Sequence, residues 1–315
     1  MQKEKIIRVG CPSHNCGGRC LLRAHVKDGR ITRIETDDRP NDSVSDPQLR
    51  ACIRGRSYRH RQEHKDRLKY PMKRTGERGS GQFERISWDE ATDLVASNII
   101  RVKKRYGNTS LFVPYGTGGY NQMGGKWSAD RLMNMIGGAL GYYNSYSWAC
   151  ITKATETVYG TDETGNQRQD WLNSDFILMW GWNPSEMRDG TNTEYFLKEA
   201  RKKGTRVICI DPRMTMSAVA LADEWIAIRP GTDVALMSAM AWVMITENLY
   251  DSDFVERYCM GFDRSQMPKG YEQEESYKDY ILGTKDHQPK TPEWAETITS
   301  VSRHDIIRIA REYAK

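Results

Sequence analysis

The chain has 315 residues, enough to bury a sizeable core in one large domain or two smaller ones. Charged residues at 28% and hydrophobic ones at 38% exclude a disordered chain, and a net charge of +5 suits anionic ligands but falls short of a dedicated nucleic-acid binder. No run approaches the ~20 apolar residues that span a bilayer. Met1 to Gly10 also lacks the apolar core of a secretory signal and a twin-arginine pair. The expectation is a chain that stays in the cytoplasm or one whose export signal has been removed.

In chain order, residues 6–36 read as short β-structure, with Leu21–Val26 and Ile31–Glu35 flanking the turn Lys27-Asp28-Gly29-Arg30. Residues 37–50, rich in Asp, Pro, Asn and Ser, read as a loop. The basic stretch from Arg54 to Arg78 fits a solvated face or a phosphate-attracting patch, with little aromatic interleaving. Ser87 reads as a helix N-cap with Glu90 completing a capping box, and the helix runs to about Tyr106.

Alternation then sets in. Ser110–Pro114 reads as a strand ending in Tyr115-Gly116-Thr117, and Phe176–Trp180 as one ending in Gly181-Trp182-Asn183-Pro184. A helix over Thr193–Lys203 stops at Gly204, and strand Arg206–Ile210 ends at Asp211-Pro212-Arg213. Strand Trp225–Ile228 leads into Arg229-Pro230-Gly231-Thr232-Asp233 and a helix from Val234 to about Glu247. This rhythm predicts an α/β fold: a small β-rich domain over residues 1–66, then a mostly parallel sheet covered by helices over 67–315. Ligands of such sheets sit beyond the carboxyl ends of the strands, where the Gly, Asn and Asp residues collect.

Of seven cysteines, four fall within the first 52 residues, as Cys11-x4-Cys16-x3-Cys20 and then Cys52. A [4Fe–4S] cluster needs four soft thiolates around a cube, here three from one loop and one from afar. A structural zinc site is the rival reading, although its usual second short knuckle is missing. His14, inside the loop, is either a further ligand or a solvent-facing residue.

Cys52 continues as Ile53-Arg54-Gly55, and here the chain resembles the prokaryotic molybdopterin oxidoreductases, specifically the dimethyl sulfoxide reductase catalytic subunits. The resemblance runs on through Arg67–Arg74 and Phe83–Trp88 to the end of the chain. It implies that Cys11, Cys16, Cys20 and Cys52 hold one [4Fe–4S] cluster and that Arg54 stands between cluster and pterin; taken alone, Arg54 would read as a surface arginine. It implies a dimethyl sulfoxide reductase type of fold, incomplete at the C-terminus. It implies a molybdenum bis(molybdopterin guanine dinucleotide) cofactor, part of which residues 67–315 would bind. The pyrophosphate would lie against Gly181-Trp182-Asn183-Pro184-Ser185-Glu186, the ribose on Asp211 with Arg213 beside it, and the guanine on Asp233 after Gly231. For Asp233 a plain helix N-cap is the competing reading. A conventional nicotinamide site is disfavoured, because no G-x-G-x-x-G follows a strand.

The same resemblance places the molybdenum ligand at Ser147, after Tyr146, as in the serine-type members. Cys150, three residues on, competes for that role and is otherwise expected to pack. Tyr115 matches a tyrosine whose hydroxyl reaches the substrate oxygen, followed by Gly116 and Thr117 at the cofactor; a core or rim tyrosine is the alternative. The implied activity is reduction of an S-oxide or N-oxide by oxygen-atom transfer, with electrons entering through the cluster. The expected partners are a ferredoxin-type iron–sulfur subunit, a membrane anchor, the remainder of the catalytic subunit and a small oxide substrate, with no nucleic acid. Family catalytic subunits are more than twice as long, so a truncated or split subunit without turnover is the second reading. A non-catalytic four-cysteine metal-binding module on an α/β domain is the third.

Overall fold

The computed structural model describes residues 3–12, 20–114, 125–143, 146–187 and 190–315. The chain forms two compact units, one of residues 1–166 with 188–192 and one of residues 167–187 with 193–315. Among the described residues, no helix is long and apolar enough to cross a membrane.

The first unit opens with an antiparallel sheet of β1 (Lys5–Gly10), β2 (Leu21–Lys27) and β3 (Arg30–Thr36), in that order. The β2–β3 turn has positive φ at both central residues, 49° at Asp28 and 76° at Gly29. That is the left-handed pair a two-residue hairpin needs to match strand twist, and Asp-Gly supplies it. Leu22, Ala24 and Ile34 bury the inner face. Pairing shifts between His25 and Val26, leaving Thr32 as an extra residue in β3.

Two short helices follow, α1 (Ile53–Arg56) and α2 (Tyr58–Gln62), then a hairpin of β4 (Met72–Arg74) and β5 (Phe83–Arg85). Helix α3 (Trp88–Tyr106) starts at the expected cap, where the Ser87 hydroxyl accepts from the Glu90 N–H at 3.0 Å. The capping box is only half made, because the Glu90 carboxylate turns to Lys73 Nζ at 3.3 Å. The strand expected over Ser110–Pro114 is reduced to a single bridge, Phe112 to Leu140. Pro114 has no N–H to extend a ladder, and only Leu111 of this stretch is buried. Helices α4 (Gly125–Met135) and α5 (Tyr146–Tyr159) follow in this unit.

The second unit is the predicted parallel sheet, with strand order β6 (Phe176–Trp180), β7 (Arg206–Ile210) and β8 (Glu224–Ile226). The last strand begins one residue earlier than expected and pairs only to Ile226, although Ile228 remains in the core. Between the strands lie α6 (Pro184–Met187), α7 (Thr193–Lys202) and α8 (Met216–Leu221). After them come α9 (Asp233–Thr246), α10 (Ser252–Tyr258), α11 (Tyr277–Leu282), α12 (Pro292–Thr299) and α13 (Arg303–Tyr313).

Strand alternation divides the core between the two faces of this sheet. Ile208 and Ile210 pack with α9, α12 and α13 through Leu236, Val243, Ala295 and Ile309. Val207 and Cys209 face the other way, onto Leu197 of α7 and Leu221 of α8. Helices cover both faces, so the strands read as near-continuous apolar runs. Burial pushes the Cys209 thiol up to about 11, which makes it an inert core residue.

Candidate cofactor sites

The cysteine segments are tied together by backbone bonds. The Cys11 N–H donates to the Cys20 carbonyl at 2.9 Å, and the Leu21 N–H to the Leu49 carbonyl at 3.1 Å. Ala51, next to Cys52, donates its N–H to Thr36 Oγ1 at 2.7 Å. The loop between β3 and Cys52 is built around the fully buried Asp37 carboxylate. It accepts from Leu49 N–H at 2.7 Å, Arg39 N–H at 3.0 Å and Arg39 Nε at 2.7 Å. Burial pushes the Asp37 pKa up, but the Arg39 guanidinium and these N–H groups outweigh it and hold it below the usual carboxylate range.

Cys52 precedes α1 in extended conformation, and its carbonyl accepts from the Arg56 N–H at 3.1 Å. The turn that follows closes on Cys11: a methyl on Gly55 would lie 2.9 Å from Cys11 Sγ and 3.5 Å from Ala51 Cβ. Glycine is therefore what lets this turn approach the first cysteine. Arg54 is exposed on α1. Cys20 is buried, with its Sγ 3.3 Å from Thr191 Oγ1. Among the described residues no three His, Cys, Asp or Glu side chains close on one point. Cys16 and His14 lie outside the described residues.

The second candidate site is the carboxyl edge of the parallel sheet. Gly181 takes φ 55° as the chain leaves β6, with its N–H donating to the Ile210 carbonyl at 2.9 Å. Asn183 is buried, and its Oδ1 accepts from Ser217 Oγ at 2.6 Å; that hydroxyl in turn accepts the Ser185 N–H at 2.8 Å. Pro184 is buried at the first position of α6. Asp211 Oδ1 accepts the Arg213 N–H at 2.9 Å, and Arg213 reaches Glu186 across 3.5 Å. Both of those side chains are exposed, so this pair adds little stability by itself.

Asp233 is the first residue of α9, behind Thr232 with Gly231 at φ 77°, and is not the N-cap. Its Oδ1 accepts the indole N–H of Trp180 at 2.8 Å. Asp211 and Asp233 thus each commit one oxygen to the protein, and a carboxylate has a second with which to accept a hydroxyl or N–H. Ser217, Trp180 and Thr191 meet partners too far along the chain for any local pattern to mark, while Asp37, bonded to Arg39 two residues on and Leu49 twelve on, lies in a segment whose composition reads as a plain loop.

Of the expected molybdenum site, Tyr115, Gly116 and Thr117 lie outside the described residues, and Ser147 is placed only as a backbone position in the first turn of α5. Cys150, one turn on, is exposed, which corrects the expectation that it packs. Its position falls on a solvent-facing part of α5.

Two family models match the chain: the molybdopterin oxidoreductase Fe4S4 domain over residues 4–64 and molybdopterin oxidoreductase over residues 67–308. Dimethyl sulfoxide reductase DmsA of Escherichia coli (strain K12) is 47% identical over 98% of the chain and 39% of its own length. Trimethylamine-N-oxide reductase of Haemophilus influenzae is 31% identical over 92% of the chain and 35% of its own length. Among solved structures, acetylene hydratase from Pelobacter acetylenicus has a TM-score of 0.69 at 27% identity, covering 96% of the chain and 38% of that protein. The chain thus spans about two fifths of the length of the relatives it matches. A four-cysteine segment ahead of a parallel sheet with a polar carboxyl edge, and matches over nearly the whole chain, lead to one conclusion: the chain belongs to the molybdopterin oxidoreductase family.

Proposed function

We propose that this chain is the cluster-bearing and front pterin-binding part of a molybdenum-dependent reductase of S-oxides or N-oxides. The observation that carries the proposal is the closure of the Cys52–Gly55 turn onto Cys11, where the site has no room for a methyl group. With Cys11 and Cys20 joined by a backbone bond, the residues fit a group that needs soft thiolates converging from a loop and a distant turn. When bound, the cluster would supply one-electron relay and the molybdenum–pterin group the two-electron oxygen-atom chemistry.

The chain's own contribution is ligation, orientation and field. Residues 1–66 serve as the iron–sulfur domain, with Cys11, Cys16, Cys20 and Cys52 as ligands and Arg54 as a fixed cation beside them. Residues 67–315 hold a guanine dinucleotide form of the pterin. There the turn Gly181–Glu186 would lie against the pyrophosphate, the free oxygen of Asp211 against the ribose, and that of Asp233 against the guanine edge; Gly116, Thr117, Arg213 and Gly231 would complete the contacts. Ser147 would supply a hard oxygen to the metal, and Tyr115 a hydroxyl to the substrate. The oxide substrate class rests on the names of the relatives and on the Tyr146-Ser147 pair. The partners proposed with it are an iron–sulfur electron-transfer subunit, a membrane anchor and the remainder of the catalytic fold.

The test is anaerobic reconstitution of the full chain with iron and sulfide. The expected result is about four iron and four sulfide per chain, as a cubane requires. Cys52→Ser removes or converts the cluster, and Cys259→Ser leaves it unchanged. One zinc and no labile sulfide would replace this reading with a metal-binding module.

A further inference from the structure

Cys20 receives a polar contact from a residue 171 positions later. Thr191 Oγ1 sits 3.3 Å from Cys20 Sγ, in a part-buried setting. Its neighbour Asn192 takes φ 64°, a left-handed conformation that side-chain-bearing residues adopt at a cost of ~1 kcal/mol. The Asn192 carboxamide donates Nδ2 to the Gln48 carbonyl at 2.9 Å. Gln48 adjoins Leu49, which accepts the Leu21 N–H and gives its own N–H to Asp37. Thr191 and Asn192 are therefore pinned to the same two strips of backbone that place Cys20.

A cysteine bound to iron is a thiolate and has no proton to give, so in this pair only the threonine hydroxyl can donate. We infer that Thr191 is a hydrogen-bond donor to a cluster sulfur that raises the reduction potential of the cluster, with Asn192 as the residue that positions it. The inference rests on the cluster assignment proposed above. Reduction adds one negative charge that spreads over the sulfurs, and a hydroxyl aimed at one of them stabilises the reduced state more than the oxidised one. Hydrogen bonds to sulfur are among the levers a protein has over such potentials. Partial burial keeps water from substituting for the lost donor.

The experiment uses the full chain, reconstituted anaerobically and titrated with dithionite while the reduced cluster is followed by electron paramagnetic resonance. Thr191→Val keeps the side-chain shape and removes the donor; its midpoint potential is expected to move negative with iron and sulfide content unchanged. Thr191→Ser restores the wild-type potential. Should Thr191→Val fail to fold, Thr191→Ala against Thr191→Ser makes the same comparison. Equal potentials in all of the proteins overturn the inference and leave the cluster assignment standing. A folded Thr191→Val protein that holds fewer iron atoms also overturns it, because the hydroxyl then serves retention of the cluster and not its potential. Absence of a four-iron signal in the wild type overturns the cluster assignment, and the inference with it.

Discussion

At the scale of single residues, Gly55 and His25 lead to separate predictions. Gly55→Ala would place a methyl 2.9 Å from Cys11 Sγ, a contact relieved only if the cysteine moves. A ligated cysteine cannot move freely, so the variant is expected to lose iron on reconstitution while the circular dichroism of the parallel-sheet unit stays unchanged. Full iron content in Gly55→Ala would show that the turn does not close on the cluster. His25 lies nearly buried in β2, 2.8 Å from Glu35 Oε2 and 3.2 Å from Glu4 Oε2. Hydrogen bonds to Glu35, then Glu4, hold its imidazole above the ordinary 6.5, and the same bonds hold both carboxyls below 4.5. Arg23 and Arg33 also face Glu35, which keeps it ionised. The histidine's contribution is complete below 6.5 and is lost as pH rises through its folded value. The carboxylates' contribution is complete above 4.5 and is lost as pH falls through theirs. Amide protection in β1–β3, corrected for intrinsic exchange, is therefore expected to peak between those limits and to flatten in His25→Ala. A pH-independent wild-type profile would refute the clamp.

At the scale of elements, the ends of helices repeat what their capping residues dictate. Helix α7 closes with the Gly204 N–H donating to Arg201 at 3.0 Å and the Thr205 N–H to Ala200 at 3.2 Å, while Gly204 takes φ 107°. This is the paired 6→1 and 5→2 closure that glycine makes possible. Gly204→Ala is expected to cost about 1 kcal/mol, seen as a lower thermal midpoint with no change in metal content. An unchanged midpoint would mean that the strand entry at Thr205, anchored through its hydroxyl to the Ser174 carbonyl at 2.7 Å, sets the turn instead. The loop before Cys52 behaves differently. Its order comes from one buried carboxylate that collects three N–H groups.

At the scale of the whole molecule, the two units differ in what holds them. The parallel-sheet unit has a two-sided core in which Leu236, Ile306 and Ile309 are fully buried. An ion-pair network adds to it, with Arg308 bound to Glu224 at 2.5 Å and Asp305 at 2.8 Å, and Arg206 to Glu312 at 2.8 Å. Leu236→Ala is expected to destabilise that unit by roughly 2–5 kcal/mol through transfer and cavity terms. Chemical denaturation reads this loss, and iron content read beside it is expected to stay at the wild-type level, because every proposed cluster ligand belongs to the other unit. Equal loss of iron would show the two units to be energetically coupled.

Features written within a few neighbouring residues are legible before any fold is known. The cysteine spacing, the Asp28-Gly29 turn, the Ser87 cap, the Gly204 stop and the apolar runs of β6 and β7 each depend on local backbone geometry or period. Even the three loops at the carboxyl edge were legible, because a strand followed by Gly, Asn or Asp marks where the chain must turn. Tertiary structure alone decided which of these groups meet. Only the path of the chain brings Thr191 to Cys20, Gln48 to Asn192 and Trp180 to Asp233. It also left Ser110–Pro114 with a single bridge, although its composition suits a strand. A strand needs a partner edge, and a hydrogen bond between residues 53 or 171 apart needs a fold to close the intervening loop; neither requirement leaves a periodic mark in the residues concerned.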